Sequence, residues 1–292
     1  MAHCIVEEAE AILDREFAVL DKGFIRLVDY LGGDERVVEA ARVSYGKGTK
    51  SYREDAGLID YLLRNRHTSP FEQVQLTFHV KLPIFVARQW VRHRTARLNE
   101  ISGRYSVMKD DFYIPAPADI ALQSRDNKQG RSAEPLDAGE AEIIRAAFSA
   151  SQERAYTGYT SLIDGGIARE IARINLPLSL YTEWYWQIDL HNLFHFLELR
   201  LDRHAQKEIR CYAEIILDIS KKVAPLCCQS FERHILGAVS FSREEFAELK
   251  RRLGRGDRAA GKTGAETNGN TETLSGKALE RFEEKLQNGT QG

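Results

Sequence analysis

Residues 88–105, RQWVRHRTARLNEISGRY, carry five arginines (Arg88, Arg92, Arg94, Arg97, Arg104) with Gln89, His93, Asn99, Glu100 and Ser102 between them. A guanidinium offers a planar fork of donors that grips phosphate bidentately and stays charged at any physiological pH. Clustered arginines with serine and asparagine donors therefore supply what a nucleotide phosphate needs. Glu100 and Asn99 add acceptors suited to a ribose or a base edge, and Gly103, lacking a Cβ, permits close approach of a ligand to the backbone. Arg88 and Arg92 stand four apart, so on a helix they share one face, with Gln89 beside them. The same composition also suits a solvated basic face with ordinary ion pairs. With Trp90 and Tyr105 as stacking rings, it suits an RNA or single-stranded DNA surface.

A second constellation is weaker. His191 and His195 lie four apart on an expected helix, the spacing of two metal ligands, with Asp202 and His204 close by. A metal-dependent nucleotide hydrolase would use such a pair. No glutamate stands beside His191 as in His-Glu-x-x-His, and no cysteine pair completes a donor set, so histidines of the core or of a cofactor pocket are expected and a metal is not. Cys227-Cys228 lies near His234 with nothing beyond proximity to suggest a catalytic thiol. Arg255-Gly256-Asp257 reads as a chance tripeptide, and Lys250, Arg251 and Arg252 as a solvated helix end.

The elements that must position these residues are legible from periodicity. In QVQLTFHVKL, Val74, Leu76, Phe78, Val80 and Leu82 alternate with polar residues, which predicts a strand with one buried face. Pro83 ends it and suits the first turn of a helix over IFVARQWVRHR. LSLYTEWYWQI predicts a second alternating strand, with Leu178, Leu180, Trp184 and Trp186 on one face. Asp189 is placed to cap the helix LHNLFHFLELRL, and another helix is expected over 205–223. Residues 24–30 read as a strand broken by Gly32-Gly33, with Asp34 as the cap of DERVVEAARVSY and Asp55 opening another helix. Residues 1–20 read as an amphipathic helix through Ile5, Ala9, Ile12, Leu13 and Phe17. The stretch 115–139 reads as a loop rich in proline, glycine, serine and aspartate, 140–164 as a long helix, and AREIARIN as a short one. Helices around a few strongly alternating strands predict the α+β class.

Composition narrows the function classes. With 41 basic and 43 acidic side chains the net charge is −2, so no overall basic field draws nucleic acid. No apolar run has membrane length, the first residues carry acids where a signal peptide carries basic then apolar residues, and four cysteines are too few for a disulfide framework. These features predict a cytosolic globular protein. From Gly254 the composition turns to glycine, asparagine, threonine, glutamate and lysine, which predicts a tail unable to order itself, with KALERFEEKLQ as a candidate short amphipathic helix.

Arg92-His93-Arg94, seven residues, then Ser102 resembles the signature of the flavin-dependent thymidylate synthases, and the likeness extends through NEISGRYS. LDKGFIRLVDYLG, RHTSPFEQ, ARINLPLSLYTEWYW and LELRLDRHAQKEIR resemble the family in the right order, over about residues 20–235. The resemblance implies a single catalytic domain (21–240) with a small antiparallel or mixed sheet flanked by helices; outside it, periodicity and composition predict an N-terminal helical extension (1–20) and a helix end with a disordered low-complexity tail (241–292), of which 254–292 is expected to be dispensable for catalysis. It implies conversion of dUMP to dTMP, with 5,10-methylenetetrahydrofolate as one-carbon donor, NADPH as reductant and bound FAD as intermediary, in a homotetramer with shared sites.

Residue by residue, the resemblance assigns Ser69, Arg92, His93, Arg94, Glu100, Asp189, Leu190, His191 and His195 to the flavin nucleotide, with His67 in the flavin–folate vicinity. It assigns Gln89, Trp90, Val91, Arg92, Glu100, Ile101, Ser102, Gly103, Arg104 and Arg173 to dUMP, and Arg200 to activation of the uracil. Some members carry asparagine- and arginine-type residues where this chain has Asp189, His191 and His195. Uracil C5 is a poor nucleophile until negative charge accumulates on the ring, and a guanidinium at the N3 and carbonyl edge stabilises that charge. Ser102 is better read as a phosphate binder than as a nucleophile, since no base at a recognisable spacing activates it. The cysteine nucleophile of the other thymidylate synthase class sits in a Pro-Cys-His context that is absent.

Overall fold

The computed structural model describes residues 4–43, 52–125, 129–259 and 276–288. Its strands are Glu16–Val19 (β1), Gly23–Leu31 (β2), Gln75–Pro83 (β3), Arg97–Glu100 (β4), Ala121–Gln123 (β5), Arg131–Pro135 (β6) and Tyr181–Asp189 (β7). Five of them form an antiparallel sheet in the order β1-β2-β3-β7-β4, and β5 with β6 makes a separate hairpin. The period-two pattern decides which face is buried. Phe78 and Val80 of β3 stand opposite Trp186 and Trp184 of β7, and all four are buried. The other face is polar, with Arg26, His79, Lys81, Glu183 and Tyr185 across β2, β3 and β7.

The helices are Glu7–Glu10 (α1), Asp34–Arg42 (α2), Tyr52–Arg64 (α3), Ile84–Trp90 (α4), Ala138–Asp164 (α5), Arg169–Ala172 (α6), Leu190–Leu201 (α7), Lys207–Val223 (α8), Pro225–Phe231 (α9), Arg243–Ala259 (α10) and Lys277–Asn288 (α11). α4, α7 and α8 cover the apolar face. Trp90 of α4 meets Trp184, Trp186, Phe196 and Tyr212 with ring centroids 5.6, 5.1, 4.8 and 5.9 Å away. Asp189 caps α7 as its sequence position predicts, accepting the Asn192 amide at 2.9 Å. The α+β expectation holds. No helix among the described residues is long and apolar enough to cross a membrane.

Several elements differ from their sequence reading. The first twenty residues are not one helix: α1 stops at Glu10, and Asp14 and Leu20 turn through left-handed backbone at φ 57° and 58°. Phe17 pairs opposite Ile25 instead, because strand hydrogen bonds to β2 outweigh a marginal helical periodicity. A boundary at residue 20 therefore falls inside the β1–β2 hairpin. Asp34 does not cap its own helix, whose N-cap is Gly33; its carboxylate accepts the Leu226 and Cys227 amides at 2.8 and 3.0 Å and so caps α9. Helix α3 begins at Tyr52, before Asp55, and 44–51 lie outside the described residues. The 115–139 stretch contains the β5–β6 hairpin, and Leu178 is exposed rather than on the buried face of β7.

The chain forms two compact units, Met1–Phe231 and Glu232–Gly292. Within the second unit α10 runs beyond Gly254 to Ala259, and α11 forms where KALERFEEKLQ suggests a helix. Phe282 is buried against Phe241, and Lys285 reaches both carboxylate oxygens of Glu245 at 2.9 and 2.7 Å. The short helix suggested for KALERFEEKLQ thus forms, with Phe282 as its buried side chain and Lys285 ion-paired to Glu245 beside it.

Candidate functional site

Helix α4 ends at Trp90, so Arg92, His93 and Arg94 lie in the turn that follows rather than on its face. The chain turns there because Val91 and His93 close on the Ala87 and Trp90 carbonyls, after which it leaves for β4. That turn meets the C-terminal end of α7. Arg200 donates Nε–H to His93 Nε2 at 2.9 Å and Nη2–H to the Gln89 carbonyl at 3.0 Å. The side chains of Gln89 and Gln206 are hydrogen-bonded to each other. Among the described residues no carboxylate pairs with Arg200: Asp202 holds His204, and Glu208 takes Tyr113 and Arg131. Burial lowers the Arg200 pKa below the ordinary guanidinium value. Burial first, then the charge of Arg200 and then His195, hold His93 down at about 4. The ring is neutral, and since a guanidinium only donates, Nε2 accepts and the ring proton sits on Nδ1.

The second half of the motif lies on the sheet edge. Every residue of β4 is exposed, and Glu100 accepts the Thr182 hydroxyl at 2.6 Å. Ser102 Oγ accepts the Arg104 amide at 3.3 Å. A Cβ at Gly103 would lie 3.1 Å from Arg173 Cδ and 3.0 Å from Met108 Sδ, which places Arg173 against the Ser102–Arg104 turn and leaves little room there for a side chain. Arg104 pairs with Glu170 of α6 at 3.1 Å, and Arg169 donates to the Tyr105 carbonyl at 3.2 Å. The guanidiniums of Arg88, Arg92, Arg94 and Arg173 have neither hydrogen bond nor ion pair among the described residues. These guanidiniums are left open to solvent or to an anionic ligand.

At the N-terminal end of α7, Val74 accepts the Leu190 amide at 2.9 Å, and Phe71 meets Phe194 at 6.4 Å. These contacts fasten the segment that follows exposed His67 and Ser69 to the first turns of α7, the helix that carries His191. One turn on, His195 stands 6.1 Å from the His93 ring, so α7 links the two groups. Among the described residues no three side chains are arranged to hold a metal.

Some assigned side chains do something else. The Trp90 indole and Leu190 are fully buried, so packing, not ligand contact, is their part. Both carboxylate oxygens of Asp189 are occupied by Asn192, at 2.9 and 2.7 Å. Val91 and Ile101 are partly exposed apolar residues beside the arginines. With Trp90 in the core and Tyr105 on the surface, the stacking pair of a nucleic-acid surface does not exist. Cys227 is buried with its thiol pushed well up, first by burial and then by Asp34, which leaves it inert. Sequence reading missed Gln206, Thr182 and Glu170, each of which holds a site residue far away in the chain and carries no local signal.

Residues 26–226 match the family model described as "Thymidylate synthase complementing protein", and residues 239–292 match "Thymidylate synthase ThyX C-terminal domain". The C-terminal segment, left outside the sequence resemblance, is therefore also shared. The chain is 63% identical over 279 residues to the "Flavin-dependent thymidylate synthase" of Treponema denticola, covering 96% of this chain and 100% of that one. It is 59% identical over 291 residues to the protein of the same name from Treponema pallidum, covering 100% of this chain and 91% of that one. Among solved structures, it is similar to a UMP/dUMP methylase PolB from Streptomyces cacaoi bound with 5-Br dUMP. That likeness has TM-score 0.68 and 34% identity, covering 75% of this chain and 98% of the other.

Proposed function

The chain belongs to the flavin-dependent thymidylate synthase family, and from that premise we propose how its residues divide the work. The reaction is the reductive methylation of dUMP to dTMP, with 5,10-methylenetetrahydrofolate giving the carbon, NADPH the electrons and FAD as the flavin. The observation that carries our assignment is Arg200, clamped by His93 and the Gln89 carbonyl with no carboxylate among the described residues to neutralise it. A guanidinium so held is preorganised for charge that develops on a ligand.

The free guanidiniums fit a dinucleotide cofactor and a nucleotide substrate, whose phosphates need counter-charges. We assign Arg92 and Arg94, with Ser69, His191 and His195, to FAD, and place His67 in the flavin–folate vicinity. When bound, FAD supplies the hydride that no side chain can supply. Ser102, Gly103, Arg104 and Arg173 form the phosphate grip on dUMP. Gln89 and Glu100 face its ribose and base, and the backbone of Trp90, Val91 and Ile101 frames it. Arg200 holds the N3 and carbonyl edge of the uracil and stabilises the negative charge that makes C5 nucleophilic. Its own protons stay in place, because a guanidinium does not ionise in this range. All of these residues fall within 21–240, and we place the enzyme in the cytoplasm.

Tritium release from C5-labelled dUMP tests the assignment. Release is expected only when FAD, methylenetetrahydrofolate and a nicotinamide reductant are all present; full activity from protein stripped of flavin would overturn it.

We further propose a homotetramer with shared sites. The strand aromatics Tyr181, Trp184, Tyr185 and Trp186 do not support it, since all but Tyr185 are buried within the chain. Its support is β4, which has β7 on one side and no strand on the other among the described residues, and where Leu98 and Ile101, with nearby Val91 and Val107, are exposed among the arginines. Light scattering at micromolar concentration is expected to give four chains, and a monomer would contradict the assembly.

A further inference from the structure

We propose that His93 is a positioning residue that acts on the uracil chemistry through Arg200. Three observations converge on it. The Nε–H of Arg200 points at His93 Nε2 at 2.9 Å, and no other side-chain acceptor holds this guanidinium among the described residues. The His93 ring is fixed by α7 itself: Phe196 meets it edge-on at 4.9 Å, one turn before Arg200 on the same helix face. Its amide closes on the Trp90 carbonyl at 3.0 Å, so its backbone is tied to the buried end of α4.

The chemistry of the pair is specific. Two cations do not share a hydrogen bond, so the ring must be neutral to accept from Arg200. Partial burial and the neighbouring Arg200 and His195 keep it so well below neutral pH. With Nε held by His93 and one Nη2 proton by the Gln89 carbonyl, the Nη1 edge of the fork and the remaining Nη2 proton are left for a ligand. A bidentate fork works only in the right plane, and that plane is what the Nε–H bond fixes. Displacement of about 1 Å at a reacting centre costs up to about a hundredfold in rate.

The inference rests on the role assigned to Arg200, and a double-mutant cycle separates the two. Turnover at saturating dUMP, KM for dUMP and flavin absorbance per chain are measured in His93→Phe, His93→Gln, Arg200→Ala and the His93→Phe/Arg200→Ala double variant. His93→Phe is expected to lower kcat by about ten- to a hundredfold with flavin content retained. His93→Gln, whose amide oxygen can accept from Nε–H, recovers part of that loss. In the Arg200→Ala background His93→Phe should change kcat less than about twofold, since the group it positions is gone. Full additivity, or a loss explained by missing flavin, overturns the positioning role while leaving Arg200 in place. Wild-type turnover in Arg200→Ala overturns the reading beneath it. Should His93→Phe fail to fold, His93→Gln in both backgrounds carries the cycle, with the same additivity criterion.

Discussion

Arg200→Ala is expected to slow turnover by roughly two to three orders of magnitude at saturating dUMP, the scale on which loss of one preorganised charge stabiliser is felt. The bland alternative for an arginine near the end of α7 is a surface ion pair, whose loss costs at most about 1 kcal/mol of stability and leaves kinetics intact. The structure removes that alternative, since the guanidinium is half-buried, meets no carboxylate among the described residues and is held by a ring nitrogen and a carbonyl. Arg200→Lys is expected to restore only part of the rate. A lysine supplies the charge but not a planar fork, so it does not present two coplanar donors to a ring edge. Flavin content should stay near that of the wild type, because Arg200 is assigned to dUMP. Near wild-type kcat in the alanine variant would take the residue out of the mechanism.

The cluster around Arg200 shows how far local pattern reaches. β3 and β7 are legible because alternation of Leu76, Phe78, Val80 and Leu82, or of Trp184 and Trp186, has one physical cause. The Asp189 cap is legible for the same kind of reason, a carboxylate three residues before the amide it accepts. β4 is not, since Arg97–Glu100 becomes a strand only by pairing with Gln187–Trp184, far along the chain. The first twenty residues mislead because Phe17 fits a helical stripe as well as a hairpin, and only the register with Ile25 decides. The motif names the residues of the site but not their partners. Thr182 on Glu100, Gln206 on Gln89 and Glu170 on Arg104 are set by tertiary packing. Trp90 is the instructive failure: embedded in the motif, it reads as a ligand contact, yet its ring belongs to the core.

That distinction has a measurable consequence. Trp90→Ala is expected to lower the unfolding free energy by about 3–5 kcal/mol, the range for removing a buried aromatic side chain from a core that only partly relaxes. The magnitude follows from its surroundings. The indole is fully buried and is the one ring shared by the sheet (Trp184, Trp186), α7 (Phe196) and α8 (Tyr212) among the described residues. Trp90→Phe should cost less, about 1–2 kcal/mol, because an aromatic still fills most of the space. It also deletes Nε1–H, which is buried without a hydrogen-bond partner in the wild type, and so offsets part of the lost packing. Urea unfolding of the full-length protein gives both values. Since Gln89 and His93 flank Trp90 in the chain, the alanine variant should lose activity along with stability. The phenylalanine variant, folded below its midpoint, should bind dUMP within about threefold of the wild type, because packing swaps of this size disturb neighbours only slightly. A folded Trp90→Phe that loses dUMP affinity about tenfold or more, or a Trp90→Ala that unfolds at the wild-type midpoint, would return the indole to the binding surface.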